Sequence, residues 1–124
     1  MFTMMNNARL AVGQQGVAIS ERAYQQALEY VHSRKQGRAA NNDGDSPIIL
    51  HGDVQRMLMR IRASTEAARA LSLYAATQLD LAHHLADDTD RAAAQTRADL
   101  LIPLVKGWST DLGVDNASLG VQVH

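Results

Sequence analysis

The sequence predicts an all-α protein, an up-and-down bundle of three long helices. Three observations carry that prediction. Apolar residues recur at helical spacing in three long segments. Two short stretches dense in turn formers separate those segments. Hydrophobic residues make up 46% of the chain but aromatics only 4%, so the core must be built from Ala, Leu, Val, Ile and Met, a mixture that favours helices over strands.

The first helix is expected over Asn6–Lys35. Leu10, Gly13, Val17, Tyr24, Leu28 and Val31 form its inward stripe, with Asn6 as N-cap and Gly37 as a C′ residue. Interior glycine costs a helix about 1 kcal/mol against alanine. Gly13 and Gly16 therefore point to close approach by another backbone or a ligand. Arg38 to Pro47 reads as a loop, since Asn41 to Pro47 is almost entirely turn formers. The second helix is expected over Asp53–Leu85, with Val54, Met57, Leu58, Ile61, Ala68, Leu71, Ala75 and Leu79 inward.

The third helix is expected from Arg91, capped by Thr89 and favoured by the acidic residues Asp87, Asp88 and Asp90. Leu101, Leu104, Val105, Trp108, Leu112 and Leu119 form its stripe. Pro103 should kink this helix or start it afresh, because proline removes a backbone hydrogen bond and clashes with the preceding turn. The pattern still reads as helical at His124. The alternations at Ile48/Leu50 and Leu119/Val121/Val123 are isolated and do not make a sheet.

Composition excludes several functions. The net charge is −1, and the best basic run, Ser33 to Arg38, is short, which argues against nucleic acid. There is no cysteine, hence no disulfide, thiolate metal site or Cys nucleophile. The first residues lack the pattern of a secretory signal, and no apolar run is long enough for a bilayer. A cytoplasmic protein with no membrane partner is expected. His83 and His84 with Asp80 and Asp87 share helical faces, but no sequence-distant ligand joins them, so no metal site is expected. Glu29-Tyr30-Val31-His32 is a single Glu-x-x-His pair, whereas a di-iron bundle needs two with further inward glutamates, and hydrolase and nucleotide-loop motifs are missing.

The order of motifs resembles the C-terminal helical domain of acyl-CoA dehydrogenases. The residues that carry it are Met5-Asn6-Asn7-Ala8-Arg9-Leu10, Gln15-Gly16-Val17-Ala18 and the run from Ala27 to Gly37. Pro47-Ile48 and His51-Gly52-Asp53-Val54-Gln55-Arg56-Met57-Leu58 follow. Trp108-Ser109-Thr110 and Ser118 to His124 complete the set. The wording is nearest the 3-methylmercaptopropionyl-CoA dehydrogenase-like and long-chain-like branch. Residues 1–124 then read as that bundle domain, cut off before its last part.

The resemblance implies a parent oxidoreductase that binds FAD and dehydrogenates acyl-CoA thioesters between the α and β carbons. In that reaction a glutamate base removes the α-proton and flavin N5 takes the β-hydride. Electron transfer flavoprotein would reoxidise the flavin, and the protein would be a homo-oligomer. Arg34 and Gln36 match the family's Arg-x-Gln-Phe-Gly motif, and Gln122 the glutamine of its Val-Gln-x-x-Gly-Gly motif; all three are implied FAD contacts. A guanidinium fork suits a pyrophosphate. Arg9 matches an arginine near the acyl-CoA.

This chain departs from the pattern in two places. Gly37 follows Gln36 directly, so the motif's phenylalanine is missing. Some members carry the base just before the arginine matched by Arg9, where this chain has Ala8, so no catalytic residue is assigned. The bland readings are that Arg34 serves a helix dipole, that Gln36 and Gln122 are surface amides, and that Arg9 pairs with Asp111 or Asp115. A non-catalytic interaction module of the same fold is the alternative function. A relative of the DNA-binding alkylation-response flavoproteins is disfavoured by the missing basic stripe. Taken alone, this chain is expected to be inactive and to self-associate through uncovered apolar surface. Sedimentation velocity over a concentration series should show mass-action growth, and a clean monomer throughout would contradict it.

Overall fold

The structure is a computed structural model and describes residues 2–40 and 42–124. It contains α1 (Phe2–Ser33), a short 3-10 turn (Ile48–Leu50), α2 (Gly52–His84) and α3 (Asp88–Val123). No strand occurs among the described residues; a single antiparallel bridge joins Lys35 to Pro47. The helices run up, down and up, so α1 and α3 are parallel. Asn6 reaches Asp99 near one end (3.2 Å), and the Tyr30 hydroxyl donates to the His124 carbonyl at the other (3.2 Å).

The boundaries correct the sequence reading in detail. Helix α1 begins before Asn6, which is therefore not its N-cap; the Asn6 side chain instead accepts from Arg9 (3.4 Å) and donates to Asp99. It ends at Ser33, so Gly37 lies beyond the C′ position, although its φ of 67° is left-handed as a glycine permits. Asp87, not Thr89, caps α3: its Oδ1 accepts from the N–H groups of Thr89 (2.8 Å) and Asp90 (3.0 Å). Helix α3 continues through Pro103 without starting afresh. Ile48–Leu50 is a 3-10 turn that seats Ile48 in the core.

The largest correction concerns which face of α3 is inward. Leu104 and Trp108 were expected in the core, yet they are 53% and 42% exposed. The buried residues are Ala94, Ala98, Ile102, Val105, Ser109, Gly113, Asn116, Gly120 and Val123, spaced three or four apart. This stripe is made mostly of small or polar residues. Its reason is close approach: a Cβ on Gly16 would collide with the backbone carbonyl of Ser109, and one on Gly113 would lie 3.2 Å from Gly16 Cα. A Cβ on Gly13 would sit 2.7 Å from Val105 Cγ1. Larger side chains cannot fit between α1 and α3, so they fall outside.

The core thus has two apolar ends and a narrow waist. Leu10, Ala75 and Val105 pack at one end. Ala27, Val31, Ile48, Met57, Leu58 and Val123 pack at the other. Between them lie Gly16, Ser20, Thr65, Ser72, Ser109, Gly113 and Asn116, all buried. Thr65 donates to the Ile61 carbonyl (2.7 Å), and Asn116 Nδ2 donates to Ser64 Oγ (3.1 Å), tying α3 to α2. Glu21 and Arg69 join α1 to α2 at 2.6 Å.

Gly16→Ala should destabilise the domain by about 3 kcal/mol, since backbone, not a movable side chain, opposes the new methyl. Gly107→Ala is the control, because nothing lies within 4 Å of its Cβ position. It should stabilise by about 0.5–1 kcal/mol. Equal denaturant midpoints for the two variants would contradict the close approach.

The hydrogen bond from Arg69, then that from Gln25, holds the Glu21 carboxyl below its ordinary value of 4.5. Folding therefore favours the charged form. The contribution is fully present above the unfolded carboxylate's value and is lost as pH falls through the depressed folded one. Glu21→Gln should cost less than about 1 kcal/mol at neutral pH, because both partners are partly solvated. That difference should shrink as denaturation is followed from pH 6 down to pH 3 (roughly the span over which carboxylates titrate).

Candidate functional site

Because α1 and α3 are parallel and in close register, their C-terminal ends arrive together. Helix α2 runs the other way, so its N-terminus joins them. The loop after α1 returns to the same place: Gln36 N–H donates to the Ser46 carbonyl (3.0 Å), Ser46 N–H to the Gly37 carbonyl (2.9 Å), and Ile48 N–H to the Arg34 carbonyl (2.9 Å). Ser46 Oγ lies inside the loop and accepts from Ala39 N–H (3.1 Å) and Asn42 Nδ2 (2.9 Å). These bonds hold residues 34–37 as a strap across the end of the bundle.

A concavity of about 400 Å³ opens there, lined by Tyr30, Arg34, Gln36, His51, Gln122 and His124, with Ile48, Val54 and Val123 as its floor. Three of the four residues singled out from the sequence, Arg34, Gln36 and Gln122, are thus brought to one place. Arg34 Nη2 donates to Gln36 Oε1 (3.1 Å). None of the ion pairs among the described residues uses Arg34. Its guanidinium is exposed and its remaining donors face solvent.

Arg9 lies apart from them. It sits near the start of α1, 24 residues before Ser33, and a rise of about 1.5 Å per residue puts it about 36 Å away along the helix. Its bond to Asn6 takes the place of a pairing with Asp111 or Asp115. Ala8, on the same turn, is exposed.

The sequence reading missed three residues of this site. Tyr30 stacks on His124, with ring centroids 4.4 Å apart and planes at 23°. His51 Nε2 is 2.9 Å from the Gln36 carbonyl oxygen. A carbonyl only accepts, so Nε2 carries the proton and donates. His51 is the N-cap residue of α2 but makes no side-chain cap bond. The signal was available: a histidine where Ser, Asp or Asn would ordinarily cap is a side chain free for other use.

The donor set fits a phosphorylated nucleotide. A solvated guanidinium is suited to a pyrophosphate, two amides to ribose or base edges, and the rings of Tyr30 and His124 to a flat heterocycle. The concavity is open, so it offers one contact face and not an enclosing pocket. A larger groove, of about 630 Å³, runs between α1 and α2 along Val17, Glu21, Arg69 and Ser72. Among the described residues no group of three His, Asp or Glu side chains is arranged to hold a metal ion. No helix among the described residues is long and apolar enough to cross a membrane.

The sequence matches the acyl-CoA dehydrogenase C-terminal domain family over residues 1–124. It is 53% identical to 3-methylmercaptopropionyl-CoA dehydrogenase of Ruegeria pomeroyi, covering 100% of this chain and 21% of that protein. It is 38% identical to a broad-specificity linear acyl-CoA dehydrogenase of Mycobacterium tuberculosis, over 90% of this chain and 19% of the relative. A butyryl-CoA dehydrogenase of Syntrophomonas wolfei is 32% identical, over 100% of this chain and 21% of its own length. The chain therefore spans about a fifth of the length of these relatives. Whole-length family match, relatives and three-helix architecture agree: the chain belongs to the acyl-CoA dehydrogenase family, as its C-terminal helical domain.

Proposed function

We propose that this domain serves an FAD-dependent acyl-CoA dehydrogenase, and that its part is to contact the cofactor and to build the oligomer. The reading rests above all on the convergence of Arg34, Gln36 and Gln122 on one concavity. Arg34 would grip the pyrophosphate, and Gln36 would orient that guanidinium through its Oε1. Gln122, from the last turn of α3, would add an amide on the far side. Bound FAD would supply the hydride acceptor for α,β-dehydrogenation of an acyl-CoA thioester. The proton-accepting base would come from outside this chain, since Ala8 offers none.

Arg9, at the opposite end of the bundle, belongs to a separate acyl-CoA contact in this reading. Ile19, Val114 and Val121 are 52%, 72% and 76% exposed, which supports a homo-oligomer that covers them. A cytoplasmic location and reoxidation by electron transfer flavoprotein complete the proposal.

The intact protein should purify with a flavin absorption spectrum that bleaches anaerobically on adding an acyl-CoA. The chain lengths that bleach it would define the substrate. A colourless protein that takes up no FAD would overturn this reading in favour of a helical interaction module. Arg34→Ala should weaken FAD affinity by about 10- to 100-fold, the usual worth of a charge-assisted hydrogen bond.

A further inference from the structure

We infer that His51 is a positioning residue of this site, acting on Arg34 through Gln36; the inference rests on the cofactor role proposed above. Three contacts form a chain. His51 Nε2–H donates to the Gln36 main-chain carbonyl at 2.9 Å. Gln36 Oε1 accepts from Arg34 Nη2 at 3.1 Å. The Arg34 carbonyl accepts from Ile48 N–H at 2.9 Å, which ties the strap to the turn that leads straight into His51. The imidazole is thus the link between the N-terminus of α2 and the strap that carries the guanidinium.

The surroundings favour this role over simple packing. As the residue that precedes α2, His51 is not one of the usual capping residues and makes no side-chain cap bond; its ring reaches out to the strap instead. The neighbouring Gly37 packs beside the ring, where a Cβ would make an ordinary contact at 3.9 Å from His51 Cε1; its left-handed φ of 67° is one that side-chain-bearing residues rarely adopt. His51 is half-buried, so its bond to Gln36 competes with water less than a fully exposed one would. An arginine at the end of a helix has several free rotatable bonds. Holding the Gln36 backbone in place limits where its side-chain Oε1 can meet that guanidinium before the ligand arrives, and preorganisation of this kind is expressed as affinity.

The test uses the intact flavoprotein, stripped of FAD and titrated with FAD by flavin fluorescence. His51→Phe keeps a ring and loses the donor; His51→Gln keeps a donor of similar reach. His51→Phe should weaken FAD affinity by roughly fivefold to tenfold, the worth of one neutral hydrogen bond, and His51→Gln should restore most of it. In an Arg34→Ala background His51→Phe should cost nothing more, because its effect runs through Arg34. Melting curves of the apoproteins establish that folded protein is compared. Should His51→Phe melt early, His51→Asn, whose amide is too short to reach Gln36, takes its place.

Wild-type affinity in His51→Phe, failure of His51→Gln to restore it, or additive losses with Arg34→Ala would each overturn the inference while leaving the cofactor reading intact. A wild-type protein that binds no FAD would instead remove the reading on which it stands.

Discussion

The backbone contact between α1 and α3 governs this domain. Where Gly16 meets Ser109 and Gly113, there is no space for a side chain on either helix. Contact that close allows one relative height and little sliding. Parallel helices locked at one height must finish together, and so the turn after Ser33 and the last turn of α3 share one end of the molecule. The site is therefore a product of register. Its residues lie far apart in sequence and meet because glycines elsewhere fix the height at which the helices cross.

That same contact explains what could be read from the sequence and what could not. Helices α1 and α2 were legible because Val17, Val31, Met57, Leu58 and Ile61 mark their inner faces with large aliphatics, and those residues are buried. Helix α3 was legible as a helix but not as to its face. Four of its large aliphatics, Leu100, Leu104, Val114 and Val121, are exposed, whereas Gly113, Asn116 and Gly120 are buried alongside Ile102, Val105 and Val123. A stripe of small residues is invisible to any reading that equates inside with hydrophobic. Gly13 and Gly16 did announce a close approach, though not which helix would make it. Pro103 does not end α3, which runs on through it with the ring on the exposed side.

The site shows the same division. Arg34, Gln36 and Gln122 were reached through resemblance, and the bundle brings them together. Tyr30, His51 and His124 were not, because their parts depend on partners whose positions no local pattern encodes: a carbonyl 15 residues away for His51, a ring 94 residues away for Tyr30. Electrostatics adds little here. The cross-helix ion pair of Glu21 and Arg69 lies well along the bundle from the strap, and Arg62 is raised above its ordinary value by its hydrogen bond to Glu66 on the same helix. Stability in the shaft and the proposed recognition at the end use different residues.

The strap also separates the chemistry of the site from the length of the segment behind it. Lys35 bridges Pro47, and Ser46 gathers the backbone just inside that bridge, so the residues between them hang from a closed neck. The free energy of closing a loop grows only with the logarithm of its length. Residues could be added at Asp43, between the Asn42 and Gly44 bonds to Ser46, without moving Arg34. Here related proteins can diverge in size with little consequence, and a probe or affinity tag can be spliced in. It would stand next to the site, close enough to report on what binds, and outside the bonds that hold it.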